Sequence, residues 1–122
     1  MQSDKQTQIV VEKLLATMPF QNVFERDLHF VKHGHKFGAV DAPEYERMAD
    51  GFMFGPMGID VHECIRPRNI DRVRFDFGTH YEGVACRIPE FVRTFYAVKA
   101  TTIARHGDEA GYFAYECARV DL

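Results

Sequence analysis

No tryptophan occurs among the 122 residues, and no apolar run is more than a few residues long. The first absence leaves core building to eleven Phe and five Tyr. The second excludes a membrane-spanning helix, which needs about 20 consecutive apolar residues. The opening stretch, from Met1 to Gln8, is polar and lacks the apolar segment of a secretory signal. Cys64, Cys86 and Cys117 are odd in number, widely spaced and without a CxxC pair. That pattern indicates neither a disulfide framework nor a thiolate zinc knuckle and predicts reduced thiols in a cytoplasmic protein. An excess of positive charge is missing too: the net charge is −3, which argues against bulk electrostatic binding of nucleic acid.

What is present is an ordinary globular balance, 46 % hydrophobic and 27 % charged, in a chain the length of one domain. The charge is unevenly spread. Residues 65–74 hold Arg66, Arg68, Arg72 and Arg74 against Asp71 alone, and Lys32 and Lys36 lie in a histidine-rich stretch. Residues 107–122 hold Asp108, Glu109, Glu116 and Asp121 against Arg119. This distribution leaves room for a local basic cleft on a mildly acidic body without requiring one.

The first half reads as helix. Ile9, Val10, Leu14, Leu15 and Met18 form an apolar stripe over 8–18, which Pro19 ends. Asn22 is placed to cap a second helix over 23–33, with Gly34 just past its end. A third is signalled by Asp41 as cap, Pro43 in the first turn and Glu44 three residues after the cap. Tyr45, Met48, Ala49 and Phe52 then recur at helical spacing. Gly51, Gly55, Pro56 and Gly58 mark a change of regime. Beyond them Arg72-Val73-Arg74-Phe75-Asp76-Phe77 alternates as a half-buried strand, and 84–88, 92–98 and 111–117 are further strand candidates. The expectation is one α+β domain over 1–122, with N-terminal helices packed on a four- to five-stranded antiparallel sheet. It divides into a helix and linker over 1–22, a helical half over 23–54 and a sheet half over 60–118.

The chemistry concentrates in Leu28-His29-Phe30-Val31-Lys32-His33-Gly34-His35-Lys36. On a helix His29, Lys32 and His33 share one face. Two imidazoles that exchange protons near neutrality, beside a lysine, suit a phosphate: one takes a proton from a ribose 2′-hydroxyl while another group protonates the leaving oxygen. Three other readings stand beside this. The stretch could be a solvated basic helix with Leu28 and Val31 turned inward. It could be a zinc site using His29 and His33 with His35, His62 or Cys64, although Lys32 would repel the ion. Or the basic cleft could grip a nucleic acid or an acidic protein without catalysis. On the strand, Arg72, Arg74 and Asp76 share a face opposite Val73, Phe75 and Phe77, and present either guanidiniums to phosphates or a wet sheet face. Thr94 and Tyr96 point to one side of their strand, opposite Phe95, and could hold a phosphate oxygen or stack a base. His106-Gly107-Asp108 reads as a polar loop before a last strand.

The motif from His29 through Lys32-His33-Gly34 and Phe37-Gly38 to Glu44-Tyr45 and Ala49-Asp50-Gly51-Phe52 resembles the opening of a nuclease group. That group comprises the bacterial polymorphic-toxin and phage-encoded RNases of the barnase–EndoU–colicin E5/D–RelE superfold. A basic strand with an aspartate, Arg72 to Asp76, then Thr94-Phe95-Tyr96 and an aromatic Tyr112-Phe113 strand continue the likeness over about residues 24–117. The resemblance implies metal-independent cleavage of RNA, often tRNA, without a cofactor. It also implies a toxin or phage effector acting in the cytoplasm of a bacterial cell and countered by an immunity or antitoxin protein. His29, Lys32 and His33 match the group's helix residues, and Thr94 and Tyr96 its last-strand residues; Arg74 matches more loosely. The site implied is therefore His29, Lys32, His33, Arg74, Thr94 and Tyr96 for catalysis, with Lys36, Arg66, Arg68 and Arg72 holding substrate. Arg87-Ile88-Pro89-Glu90-Phe91 departs from the group's glycine turn.

Overall fold

The computed structural model describes residues 20–120. The helix expected over 8–18 lies outside the described residues. Helix α1, Val23–His33, begins where Asn22 accepts the Glu25 backbone N–H at 2.8 Å. It does not end at a left-handed Gly34. The chain tightens into a 3₁₀ turn, Gly34–Phe37, and the left-handed residue is Gly38, with φ 68°. Gly34 is needed for a different reason: a Cβ there would come within 2.4 Å of the Phe30 ring. Helix α2, Ala42–Phe54, is capped by Asp41, which accepts the Glu44 N–H at 2.8 Å.

Four strands follow, β1 Val61–Ile65, β2 Arg72–Asp76, β3 Tyr81–Arg87 and β4 Glu90–Ala97, paired in that order as an antiparallel meander. The fold is α+β, with N-terminal helices preceding the sheet. A register shift between Val84 and Ala85 lets Ala85 pair with Val92 while Val84 pairs with Thr94. On one face of the sheet Ala85, Val92 and Phe95 pack with Phe20, Tyr45, Ala49 and Met53. The Tyr45 hydroxyl donates to the Phe95 carbonyl there, so the buried phenol is satisfied.

The chain after β4 departs from expectation. Residues 111–117 are helix, not strand: α3 is Ala100–Ala104 and α4 is Glu109–Ala118. Asp108 supplies the reason, since its side chain accepts the Gly111 N–H at 2.8 Å and caps α4. Tyr112 and Glu116, four residues apart, then fall on one buried helix face. These helices cover the second face of the sheet, where Phe75, Val98, Ile103 and Tyr112 form a second core. The sheet is therefore covered on both sides, and the half beginning at residue 60 ends in helix.

The thiols also depart from expectation. Cys64 on β1 and Cys117 on α4 form a disulfide, their Cα atoms 6.0 Å apart, and Cys86 is free. They are 53 residues apart in sequence and meet only because α4 packs back on the sheet. Among the described residues no helix is long and apolar enough to cross a membrane.

Candidate functional site

The face of α1 turned to the protein is set by His29, Phe30 and His33, while Leu28 and Val31 are exposed. That orientation brings the end of α1 against β4, where the His33 and Tyr96 rings lie 5.6 Å apart between centroids. Two recesses meet at Tyr96, which lines both.

The first is a groove of about 530 Å³. Lys32 and His33 enter from α1, Lys36 from the 3₁₀ turn, Lys99 and Thr102 from the start of α3, and Tyr112 from α4. Among the described residues no carboxylate lines it. Burial lowers the His33 pKa, and His29, Lys32 and His35 lower it further, so the imidazole is neutral at pH 7. A neutral imidazole beside three lysines is a base within reach of an anion.

The second is a cavity of about 410 Å³ under α4. Its walls carry Arg66, Asp71, Glu82, Arg93, Thr94, Glu116 and Arg119. Glu82 is wholly buried and pairs across the sheet with Tyr96, whose hydroxyl donates to Glu82 Oε2 at 2.9 Å. The Tyr112 hydroxyl lies 3.2 Å from that of Tyr96. Burial, reinforced by the Glu116 carboxylate, pushes Glu82 up to about 9, so it holds its proton at neutral pH. Burial also raises Tyr96 and Tyr112, and both phenols stay protonated.

The residues expected from sequence are divided between these recesses and the scaffold. Lys32, His33, Lys36 and Tyr96 come together in the groove, and Arg66, Thr94 and Tyr96 in the cavity. His29 lines neither recess. Its ring stacks on Phe20 at 5.2 Å and lies 5.9 Å from His33, and Nε2 is 3.9 Å from Glu25. Arg74 is buried against the end of α2, donating to the carbonyls of Phe52 and Gly55 at 3.0 and 2.8 Å and to Glu63 at 2.8 Å. It caps a helix whose last carbonyls need donors. Arg72 lies over the Phe54 ring and beside the same Glu63, and Arg68 is exposed and lines neither recess. Arg72 and Arg74 do not form a wet face.

Among the described residues no three His, Cys, Asp or Glu side chains group as metal ligands. The zinc alternative loses Cys64 to the disulfide, and His62 packs on Phe77 at 4.2 Å, on β1. Sequence reasoning missed Glu82, Asp71, Glu116 and Lys99. For Glu82 a signal existed: an acid two residues before the apolar Val84, on the strand face that also carries it. The chain matches no model of a known protein family and no curated protein, so its site has to be interpreted from its own residues.

Proposed function

We propose that this domain is a metal-independent endoribonuclease that holds a phosphodiester in the groove beside Tyr96. The observation that supports this best is the pairing of a neutral His33 with Lys32, Lys36 and Lys99 in a recess without carboxylates. His33 takes the proton of the ribose 2′-hydroxyl. The freed oxygen attacks phosphorus, the bond to the 5′-oxygen breaks, that oxygen leaves with a proton from a groove ammonium such as Lys32, and a 2′,3′-cyclic phosphate remains. The lysines stabilise the charge that builds on the phosphorane oxygens. This is the role the sequence resemblance gives Arg74, whose hydrogen bonds go instead to the end of α2 and Glu63. Tyr96, its hydroxyl fixed by Glu82, forms the wall against which the nucleotide lies. His29 acts through His33 as a positioning residue.

Structured RNA such as tRNA is the substrate, and the place of action is the bacterial cytoplasm, as for a toxin or phage effector. A disulfide forms in oxidising compartments, which fits a chain exported before it acts. An immunity protein that covers the groove is the expected protein partner. The test is purified protein with total tRNA and EDTA, resolved on a denaturing gel beside His33→Ala. Discrete fragments ending in 2′,3′-cyclic phosphate, absent with the variant, are expected. RNA that is bound but uncut would overturn catalysis and make the domain a binding protein.

A further inference from the structure

Helix α1 has a packed face and, opposite it, an open apolar one. His29, Phe30 and His33 turn inward, and Phe20 closes that side by stacking on His29 at 5.2 Å. Phe24, Leu28 and Val31, at i, i+4 and i+7, form a second stripe on the other side. That stripe is open: Phe24 is 71 % exposed, Leu28 40 % and Val31 76 %. Other exposed apolar side chains, such as Ile59, Ile88 and Val120, sit singly outside the helices and strands, which is ordinary for a protein surface. Three in a row on one helix face are not. A helix with apolar side chains on opposite faces is suited to lie between two layers. Among the described residues the outer layer is missing.

We infer that residues 8–18 of this chain form an amphipathic helix that packs antiparallel on Phe24, Leu28 and Val31. Val11, Leu14, Leu15 and Met18 recur at i, i+3, i+4 and i+7, and Glu12 and Lys13 fall off that stripe. The segment has the same 11 residues as α1, about 16 Å of helix, and so is long enough to cover the stripe. Its place is set by the chain that follows it. Phe20 is buried, bridges Val92 of β4 and donates its N–H to Glu46 at 3.2 Å, so the end of the segment is fixed beside α1. Pro19 stops the helix, and residues 19–22 make a four-residue connection, a length that joins antiparallel neighbours. A tether this short gives the segment a local concentration of about millimolar, ahead of partners in solution. Packed there, it holds from outside the helix that carries Lys32 and His33 to the groove.

The test is NMR on the whole chain, with a mixture of isotope-labelled and unlabelled protein to separate contacts within a molecule from contacts between copies. Nuclear Overhauser contacts are expected within one molecule, from the Phe24 ring and the Val31 methyls to Val11, Leu14, Leu15 or Met18. The amides of residues 11–18 should exchange at least about tenfold more slowly than in an unstructured chain. Leu14→Asp combined with Leu15→Asp should abolish the contacts, return those amides to the unstructured rate and shift the signals of Phe24, Leu28 and Val31. Lys13→Asp, on the far side of the segment, should change none of these, and unchanged Tyr45 and Phe75 signals would show both cores intact. Contacts seen only between copies would overturn the inference in favour of a dimer built on the stripe. Unprotected amides in the native chain, or contacts that survive the paired variant, would overturn it too. No reading here depends on RNA, so none of these outcomes bears on the ribonuclease role of the groove.

Discussion

On one side of Tyr96 three lysines share a groove with a histidine and no carboxylate; on the other, three arginines share a cavity with three acids. The side chains look alike in sequence, yet they do different work. Arg66 is 1 % exposed and donates to Glu116 through Nε and Nη2, so it contributes to the fold. Like charges gathered in an open recess repel one another, weaken the fold slightly, and are offset only when an anion arrives. The sum of charges, −3, conceals this division. Charge of one sign without partners marks where a ligand goes, and buried charge with partners marks what holds the walls.

The comparison breaks if the cavity's pairs turn out to be dispensable. Glu116→Ala leaves Arg66 buried without its carboxylate and should cost about 3–5 kcal/mol in urea unfolding, the usual penalty for half of a buried ion pair. Lys36→Ala in the groove should cost less than about 0.5 kcal/mol. Equal losses in the two variants would sink the distinction. Next in size is the Cys64–Cys117 bond, which ties β1 to the helix carrying Glu116 across 53 residues. Chain entropy for a loop of that length sets a ceiling of about 4 kcal/mol, and a Cys64→Ser, Cys117→Ser double variant should lose about 2–4 kcal/mol. Melting in the presence and absence of reductant measures the same quantity on the native chain. An unchanged midpoint would mean that α4 is held by packing alone.

The two sides should also respond to pH with opposite signs. Glu82 is raised from 4.5 to about 9 in the fold, so the native state binds its proton more tightly than the unfolded chain. Its contribution is fully present below about pH 4.5 and is lost as the pH rises to about 9. His33 is lowered from 6.5, so its contribution is present above that value and is lost as the pH falls below it. Glu82→Gln keeps an acceptor for the Tyr96 hydroxyl and removes the titration. Its melting temperature should match the wild type's near pH 5 and exceed it by several degrees at pH 8–9. Parallel melting curves across that range would show that Glu82 does not hold its proton.

Much of this arrangement is legible in the sequence where local signals agree. Asp41, Pro43, Glu44 and the Tyr45–Met48–Ala49–Phe52 stripe specify α2, and alternation specifies β2. Helix α4 was hidden because its apolar run, Tyr112-Phe113-Ala114-Tyr115, suits either period. Only the Asp108 cap and the spacing of Tyr112 to Glu116 decide for helix, and the latter requires accepting a buried glutamate. Local patterning also misplaced Arg74. Alternation puts it on a polar face, but a long side chain can reach back to cap a helix two elements away. The disulfide and the Glu82–Tyr96 pair are long-range products of the topology, and no spacing rule brings them together. Of the site itself, the histidine segment with Lys32 and Lys36 and the strand pair Thr94 and Tyr96 could be read beforehand. That they border two recesses of different character could not.

The smallest effects sharpen the comparison most, because they separate charge used on phosphate from charge used on protein. Counterion release makes log K for single-stranded RNA fall with log salt by about 0.7 per phosphate neutralised. Lys32→Ala, Lys36→Ala and Lys99→Ala should each reduce that slope by about 0.7 when binding is measured by fluorescence anisotropy in His33→Ala, which cannot cut the probe. Arg68→Ala, exposed and outside both recesses, should leave the slope unchanged. Arg93→Ala is the decisive member of the series. Its guanidinium faces Asp71 and is nearly half exposed, so it could in principle turn outward to a phosphate. If it stays with Asp71, the slope is that of the parent. A slope reduced as much as by a lysine substitution would mean that phosphate contacts run along the whole of β4, and the division at Tyr96 would fail.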